Sequence, residues 1–465
     1  RMEFVSSDLE KKIALDDEEI ASSIKRLTSL VQFPTVSSLG PSNGAYDACA
    51  KWILHELEHV VGIWGFILEE SKLNKPIVIG IWEGIDTTLP GILLNSHYDV
   101  VPVVNEKWTV PAFEGLIQNN RIYGRGTQDM KCVCAQYITA LAKLKKTGFE
   151  PMRTIFLSFL PDEEIGGGDG MNVLMKSDWF ASISVAVALD EGLASEGDDY
   201  TVFYGERLPW WVKVKAMGAT GHGSRFIEGT AVEQLLAVTD KALKFRQQQR
   251  DELFGVGDGS DQHLGCSHAI VKKKGLGDVT SLNVTMLRAG VVAAGDDVIN
   301  VVPPYAEAGF DIRIAPHVDP QEVSDMLTLW CEEVSTTTKN SLSGDSSGKK
   351  DVGVSWEYYY EPVKHHSKTS TDPAENPWWG LFQQALLKHF QINVSTEVFP
   401  AATDSRFLRA LGIKALGFSP MRRSPVLLHE HDEYIDQDVF IEGCNVYFIL
   451  IKVLSSQLGG DIDKK

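Results

Sequence analysis

The sequence is short of cysteine, of positive charge and of long apolar runs. Its 465 residues include only six cysteines, scattered without a C-x-x-C pair, so we expect reduced thiols rather than a disulfide framework. The 44 basic residues are outnumbered by 63 acidic ones, for a net charge of −19, which disfavours nucleic acid and anionic membranes as partners. The longest apolar runs, such as 155–160, fall far short of the roughly 18–20 residues that span a bilayer.

The length and composition predict a globular protein with more than one domain. A chain of 465 residues exceeds what a single hydrophobic core usually holds, and 43% hydrophobic residues suffice for a large interior. Residues 1–12 lack the apolar core of a secretory signal. We therefore expect two or three domains and a cytoplasmic location.

Short apolar runs alternate with helical patterns up to about residue 205, and the same alternation is found again after residue 363. The strand-like runs are 77–82, 91–95, 154–160, 184–189 and 415–418. The helical patterns are 20–30, 46–57, 133–145, 378–390 and 439–454. This order predicts an α/β domain with a mainly parallel sheet.

From about residue 206, apolar and charged residues alternate along the predicted strands, as in a sheet with one solvent-exposed face. The predicted strands are 211–216, 281–287, 307–314 and 352–359, and the helices are 231–246 and 320–333. Their βαββαβ order predicts an inserted α+β, ferredoxin-like domain over 206–363, between catalytic segments 1–205 and 364–465. Two Gly/Ser/Lys-rich loops, 255–279 and 335–353, are expected to be mobile surface.

The most informative motif is a run of three acids, Asp162, Glu163 and Glu164, directly after an apolar strand. Carboxylates this close raise each other's pKa unless a cation compensates them. Three more predicted strands or loops end in metal-type ligands: His97-Tyr-Asp99, Asp129 and Asp190-Glu191. Open α/β sheets bind ligands at the carboxyl ends of their strands. The sequence therefore predicts a metal site at this edge.

Each motif also has an ordinary explanation. Acids at a helix N-terminus complement the helix dipole, and the His429–His431 segment could be a polar loop. In an extended His97-Tyr-Asp99, residues i and i+2 point the same way, so Asp99 can hold one imidazole nitrogen while the other binds metal. Two adjacent glutamates can divide the work, one coordinating metal and one moving protons.

Taken together, the motifs resemble the aminoacylase/carboxypeptidase family of co-catalytic two-zinc exopeptidases and amidohydrolases. The resemblance runs from about residue 17 to residue 455, in the order that the family shows. The segments that carry it are 94–102, 128–132, 161–164, 189–192, 209–211, 400–404, 417–421 and 429–433.

The resemblance implies two Zn²⁺ ions per subunit, which would offset the clustered acids. It assigns one zinc to His97 and Asp190, the other to Glu164 and His429, and a bridging position to Asp129. Glu163 matches the general base, which takes a proton from the attacking water and later gives it to the leaving amine. Asp99 matches the residue that orients the ligand histidine.

In this family the inserted domain acts as a lid and as the dimer interface. His222 matches a histidine that reaches across the dimer to stabilise the oxyanion. Asn300 and Arg313 match lid positions that hold the substrate, and Arg406, just after the 400–404 segment, is a further candidate for substrate contact.

The implied activity is hydrolysis of N-acyl-L-amino acids to a carboxylate and a free L-amino acid by a homodimer. One alternative is a zinc dipeptidase or carboxypeptidase on the same scaffold, whose substrate would carry a free amine. The other is a binding protein that keeps the fold without turnover. The presence of every ligand position and of Glu163 argues against that second alternative.

Overall fold

The computed structural model describes residues 14–37, 40–255, 274–342 and 352–463. The chain divides into two compact units. The first unit comprises Arg1–Tyr204, Ser367–Glu397 and Thr403–Lys465, and the second comprises Gly205–His366 and Val398–Ala402. The first unit is thus assembled from three separate stretches of sequence.

The helices range in length from four to 24 residues. In chain order they are α1 (Asp17–Val31), α2 (Gly40–Asn43), α3 (Ala45–His55), α4 (Lys131–Lys146), α5 (Met171–Leu174), α6 (Asp178–Ser182), α7 (Ala231–Phe254), α8 (Pro320–Ser341), α9 (Pro377–Phe390), α10 (Ser405–Ala410) and α11 (Gln437–Ser455). Helix α3 continues directly into a π-helical turn, Glu56–Val61.

Within the described residues, the strands belong to five sheets. In chain order they are β1 (Trp64–Ile67), β2 (Val78–Trp82), β3 (Gly91–His97), β4 (Leu116–Gln118), β5 (Arg121–Tyr123), β6 (Ile155–Leu160), β7 (Val185–Asp190), β8 (Tyr200–Glu206), β9 (Leu208–Met217), β10 (Gly221–His222), β11 (Ser281–Ala289), β12 (Val292–Ala293), β13 (Asp296–Asp297), β14 (Val301–Val302), β15 (Tyr305–Ile314), β16 (Gly353–Tyr358), β17 (Val394–Phe399), β18 (Lys414–Gly417) and β19 (Tyr434–Asp436).

The largest sheet has eight strands in the order β1-β2-β6-β3-β7-β18-β8-β17. Its four central strands, β6, β3, β7 and β18, are parallel, whereas β1, β2 and β8 pair antiparallel. Strand β3 is buried along its whole length, as expected for a central strand covered on both faces. The mixed α/β sheet confirms the predicted fold class.

Helices α4 and α11 fill the core of the first unit. Helix α4 buries Val133 and Ile138, and α11 buries Phe440 and Ile449, all within one apolar cluster. Fully burying such a side chain stabilises the fold by about 1.5–3 kcal/mol. The start of α4 is therefore fixed, which matters because Asp129 lies two residues before it.

The second unit contains a four-stranded antiparallel sheet in the order β11-β15-β9-β16. Burial alternates along β9 and β15, so one face of the sheet is apolar. Helices α7 and α8 contribute buried Leu235, Val238 and Leu327 to the same cluster. The βαββαβ order confirms the predicted ferredoxin-like domain.

The structure corrects the two loop predictions in part. Helix α8 continues to Ser341, so residues 335–341 are helical rather than loop. Gly277 and Val279 are buried, so the end of the 255–279 segment is not mobile surface. Residues 256–273 and 343–351 of the two loops lie outside the described residues.

Two further expectations concern cysteine and membranes. The five described cysteines are free thiols, as predicted, and all are buried; Cys266 lies outside the described residues. Within the described ranges, no helix is long and apolar enough to cross a membrane.

Candidate metal centre

The carboxyl ends of the parallel strands converge in the first unit. Strand β3 ends at His97 and pairs in parallel with β6, so His97 lies opposite Leu160. The acids Asp162, Glu163 and Glu164 follow β6 immediately, and β7 ends at Asp190 on the other side of β3. Parallel strands have their carboxyl ends at the same edge of the sheet. Acids that are far apart in the sequence therefore lie close together there.

Asp129 lies between two histidines. Its Oδ1 is 3.1 Å from Nε2 of His97, and its Oδ2 is 3.2 Å from Nε2 of His429. Nε2 of His429 is also 3.0 Å from Oε2 of Glu164. Each oxygen of one carboxylate therefore faces a different imidazole, which is the arrangement that a carboxylate shared by two cations requires.

The His97 ring is oriented by the backbone of Asp99. Nδ1 of His97 lies 3.0 Å from the Asp99 carbonyl oxygen; because a carbonyl only accepts, Nδ1 carries the proton and Nε2 is left to bind metal. The Asp99 carboxylate is 3.4 Å from the same nitrogen. It also accepts the backbone N–H groups of Glu163 (3.1 Å) and Glu164 (3.3 Å). Asp99 thus fixes both the imidazole and the acidic turn.

The structure corrects the assignment of Asp190 as a ligand. Oδ1 of Asp190 accepts from the Asn95 amide at 2.9 Å, and Oδ2 accepts from the Ser405 hydroxyl at 2.7 Å. Oε2 of Glu191 instead lies 3.4 Å from Nε2 of His97. Successive side chains along a strand point to opposite sides. Asp190 and Glu191 therefore face different ways, and only Glu191 is directed at His97.

Two overlapping groups of ligand atoms could each hold a cation. One consists of His97, Asp129 and Glu164, the other of His97, Glu163 and Glu191, with ligand atoms within 4.8 Å of one another. Imidazole nitrogen together with carboxylate oxygen is a donor set suited to Zn²⁺ and similar divalent ions.

Burial and crowding shift the pKa of the acids in this cluster. Burial, followed by the charge of Glu191, raises the pKa of Glu163 well above its usual range. Burial, followed by Asp129, likewise raises the pKa of Glu191 well above its usual range, and that of Glu164 to about 7. Acids in such a site hold protons unless positive charge compensates them.

The pKa values of the two histidines are raised as well, which for an imidazole favours the charged form. Hydrogen bonds to Asp129 and then Glu164 raise the pKa of His429 to about 10. Burial disfavours a charged His97, but Glu191 and Asp129 outweigh it and raise the pKa. Burial would raise the pKa of Asp129, yet the bonds to both histidines lower it.

Some buried carboxylate oxygens in and beside this cluster lack a partner of the kind that a cation could provide. Among the described residues, Oε1 of Glu164 and both carboxylate oxygens of Asp404 are buried and have no hydrogen-bond partner. Burial, followed by the charge of Asp190, raises the pKa of Asp404 well above its usual range. Unpartnered buried carboxylate oxygens are costly unless a proton or a cation binds them.

Glu433 is a supporting residue that the sequence argument did not single out. Its buried carboxylate pairs with Arg125 at 2.8 Å and accepts the backbone N–H groups of Gly126, Gln128 and Asp129. It thereby fixes the loop that carries the bridging candidate. The only available signal was its place in the 429–433 segment.

The substrate-binding candidates of the second unit fall into two places. His222 is exposed, with Nδ1 2.7 Å from the Ser224 hydroxyl. The backbone N–H of Gly223 donates to the Asn300 carbonyl at 2.7 Å, so the structure brings His222 and Asn300 into one local cluster. Arg313 lies on β15, where it pairs with Asp311 at 2.7 Å.

Arg406 belongs to the first unit and is bound to backbone oxygens. Its guanidinium donates to the carbonyls of Thr403 at 2.7 Å and Gly166 at 2.9 Å. Gly166 directly follows the turn that carries Glu163 and Glu164. In this structure the side chain therefore braces the acidic turn.

Comparison with known proteins identifies the family of the chain. The model of peptidase family M20/M25/M40 matches residues 93–453. Aminoacylase-1 of Dictyostelium discoideum is 44% identical over 385 residues, which cover 82% of this chain and 86% of that protein.

Solved structures support the fold. An M20 family metallo-carboxypeptidase from Sulfolobus solfataricus superimposes with a TM-score of 0.66 at 18% identity, covering 95% of this chain and 100% of that one. A dinuclear metal binding peptidase of the M20 family from Bacillus subtilis gives a TM-score of 0.63 at 14% identity, covering 95% and 100%. At these identities the likeness concerns the fold alone.

Proposed function

The chain belongs to peptidase family M20/M25/M40, and on this premise we propose that it uses two zinc ions per subunit to hydrolyse N-acyl-L-amino acids. It is a hydrolase of N-acyl amino acids, as the 44% identity to an aminoacylase-1 across most of both chains indicates. The products are a carboxylate and a free L-amino acid. The observation that supports the metal pair is Asp129, whose two oxygens each face one histidine.

The proposed ligands are His97 and Glu191 on one side, Glu164 and His429 on the other, and Asp129 between them. Glu191 replaces Asp190 in this set, because both oxygens of Asp190 are occupied by Asn95 and Ser405. Bound divalent cations would polarise the amide carbonyl and make water more acidic. The charge of the cations would also allow the buried acids to remain ionised.

Glu163 is the proposed general base and acid. It is buried beside His97, with Oε2 4.0 Å from Nε2, and its backbone is held by Asp99. A buried carboxylate whose affinity for protons is raised can take a proton from water and keep it long enough to deliver it to the leaving nitrogen. The transfer leaves Glu163 ionised again after each turnover.

The second unit is proposed as a lid that also forms a homodimer. His222 and Asn300 lie together on its surface, where a lid residue could reach a substrate bound elsewhere. We propose that His222 serves the partner subunit and stabilises the oxyanion, that Asn300 and Arg313 hold the substrate, and that the enzyme is cytoplasmic.

A turnover panel tests the proposed substrate class. The full chain is assayed with N-acetyl-L-methionine and with the unblocked dipeptide L-alanyl-L-methionine, and its metal content is measured by elemental analysis. We expect turnover of the acetylated compound, about two zinc ions per chain and loss of activity with a chelator. Preference for the dipeptide would instead indicate a dipeptidase. One zinc ion in a fully active preparation would contradict the shared site.

A further inference from the structure

A second pair of histidines lies on the surface of the first unit, outside the acidic cluster. His55 ends α3, and His59 lies one turn further along in the π-helical segment. Both side chains are exposed, and their ring centroids are 4.7 Å apart. The segment His55-Glu-Leu-Glu-His59 has the H-E-x-x-H spacing that places two imidazoles on one helix face.

The separation of the two rings suits a shared ion. A metal–nitrogen bond of about 2.0–2.1 Å puts each imidazole centroid roughly 3.2 Å from the ion. Bond angles between a right angle and the tetrahedral value then separate the centroids by roughly 4.5–5.2 Å. The observed 4.7 Å falls within this range, so the spacing of the two rings is compatible with one shared ion. The π-turn itself is an irregularity that often marks functional positions.

The glutamate of the motif is not free to act as a base. Oε2 of Glu56 accepts from Nε of Arg26 at 2.7 Å, and the two side chains are 14% and 6% exposed. In a hydrolytic H-E-x-x-H centre this glutamate takes a proton from water. Among the described residues, no third ligand joins the two histidines in a compact group. The arrangement therefore suits binding and not catalysis.

We propose that His55 and His59 form a peripheral two-histidine site for an imidazole-preferring divalent transition-metal ion, such as Ni²⁺, Cu²⁺ or Zn²⁺. Water completes the coordination of the ion, because both rings face solvent. Divalent affinities for such donors rise towards copper, and both imidazoles must be neutral to bind. The site is separate from the proposed catalytic residues and does not depend on which substrate the enzyme hydrolyses.

The test uses the untagged full chain with its resident metal retained. Retention on a Ni²⁺-charged resin is measured first, and titration calorimetry with NiCl₂ then gives the number of additional ions and their Kd. We expect one additional Ni²⁺ per chain for the wild type. His55→Ala and His59→Ala should each weaken this binding by about tenfold or more, because either change leaves a single ligand and removes the chelate.

His317→Ala is the matched control, since His317 is also exposed but lies in the second unit. It should retain the additional Ni²⁺ with unchanged Kd. Unchanged Ni²⁺ binding in both His55→Ala and His59→Ala would overturn the proposal, and so would an equal loss in His317→Ala. All variants should keep their resident metal and their turnover, which separates this outcome from a failure of the catalytic proposal.

Discussion

Glu163 and Glu164 are adjacent in sequence, yet the structure gives them different surroundings. Oε2 of Glu164 lies 3.0 Å from His429, whereas Glu163 is 4.0 Å from His97 and makes no closer contact with a histidine among the described residues. A metal ligand donates an oxygen lone pair to the cation. A general base instead needs a carboxylate oxygen that is free to accept a proton. The difference in contacts is what separates the two proposed roles.

Replacing Glu163 by glutamine should remove turnover and leave the metal in place. The amide has nearly the same shape as the carboxylate but cannot accept the proton. Loss of a general base typically lowers the rate by about 10²–10⁴. The measurements are kcat and metal content, with Glu196→Gln, an exposed loop acid, as the control. More than about a tenth of the wild-type kcat in Glu163→Gln would mean that another base is at work.

The pair Asp190 and Glu191 gives a second test at single residues. Changing an outer partner of a metal ligand typically costs about 10–100-fold in metal affinity, and loss of a ligand costs more. We therefore expect Glu191→Gln to lose about one of two ions per chain by elemental analysis. Asp190→Asn should retain both, because an amide can still bond to Asn95 and Ser405. The reverse outcome would restore Asp190 as the ligand.

Several candidate ligands could be recognised in the sequence because they follow predicted buried strands. The structure brings His97, Asp129 and Glu164 together with His429, which only the family resemblance implied. The error at Asp190 arose because partners distant in sequence decide which of two adjacent acids faces the cluster. Ser405 lies 215 residues away from Asp190, and no local pattern reports that bond.

At the scale of an element, the turn after β6 controls the position of both glutamates. Gly166 and Gly167 have φ values of +102° and +69°, in the region that favours glycine. A Cβ on Gly167 would lie 2.7 Å from Oδ1 of Asp404 and 3.1 Å from the Phe407 ring. Asp404 can therefore lie this close to position 167 only because glycine has no side chain.

Gly167→Ala should destabilise the protein and disturb catalysis. The left-handed backbone costs roughly 1–2 kcal/mol for a residue with a Cβ, and the contact with Asp404 adds to this. A displaced turn moves Glu163 and Glu164, so kcat should fall together with the midpoint of thermal unfolding. Gly168→Ala is the matched control, because its Cβ would meet nothing within 4 Å. Equal effects in both variants would contradict this reading of the turn.

Another element-level contact joins α11 to β8. Glu442 of α11 accepts from Arg422 at 2.7 Å and 2.9 Å and from the Tyr200 hydroxyl of β8. Burial alone would raise the pKa of Glu442, but the bonds to Arg422 and Tyr200 outweigh it and lower the pKa below 4.5. The charged form is therefore the one that the fold favours.

Glu442→Gln should lower the free energy of unfolding by about 1–3 kcal/mol at neutral pH, through loss of charged hydrogen bonds. Because the folded pKa is depressed, this stabilisation is present above pH 4.5 and is lost as the pH falls through the folded value. The difference in the free energy of unfolding between wild type and variant, measured by denaturant unfolding, should therefore become smaller in acid. Glu332→Gln, at an exposed position on α8, should show neither effect. If this difference stayed constant in acid, the ionisation of Glu442 would not be the source of the stabilisation.

Element predictions from the sequence were most reliable where the periodicity was strong. The central strands and α4 were located to within a few residues, because buried strands and amphipathic helices have distinct patterns. Strands β1, β8 and β17 of the eight-stranded sheet were not predicted, and neither were the short strands of the three small sheets. Strand β1 exposes Trp64 and Ile67, and its four residues are too few to establish an alternation.

At the scale of the whole molecule, His222 and the acidic cluster belong to different units of one chain. If His222 completes the site of the partner, neither a His222→Ala homodimer nor a Glu163→Gln homodimer should turn over; loss of one oxyanion donor costs about 10²–10³ in kcat. Mixing and re-associating them should form heterodimers with one intact composite site. Activity should recover to roughly a quarter of the wild type per chain.

The control for this experiment is a mixture of Glu163→Gln with itself, processed in the same way, which should remain inactive. Heterodimers must be verified by mass before activity is read. No recovery in verified heterodimers would show that His222 serves its own chain or has no catalytic role. Full activity in the His222→Ala homodimer would exclude the residue from the reaction.

The discontinuity of the first unit has a consequence for how the enzyme is made. The second unit, Gly205–His366, is translated between Glu191 and His429. A growing chain on the ribosome thus displays four of the five proposed ligands while the fifth is still unsynthesised. Helix α11, which packs in the core beside α4, is later still. The five proposed ligands can therefore come together only after nearly the whole polypeptide has been translated.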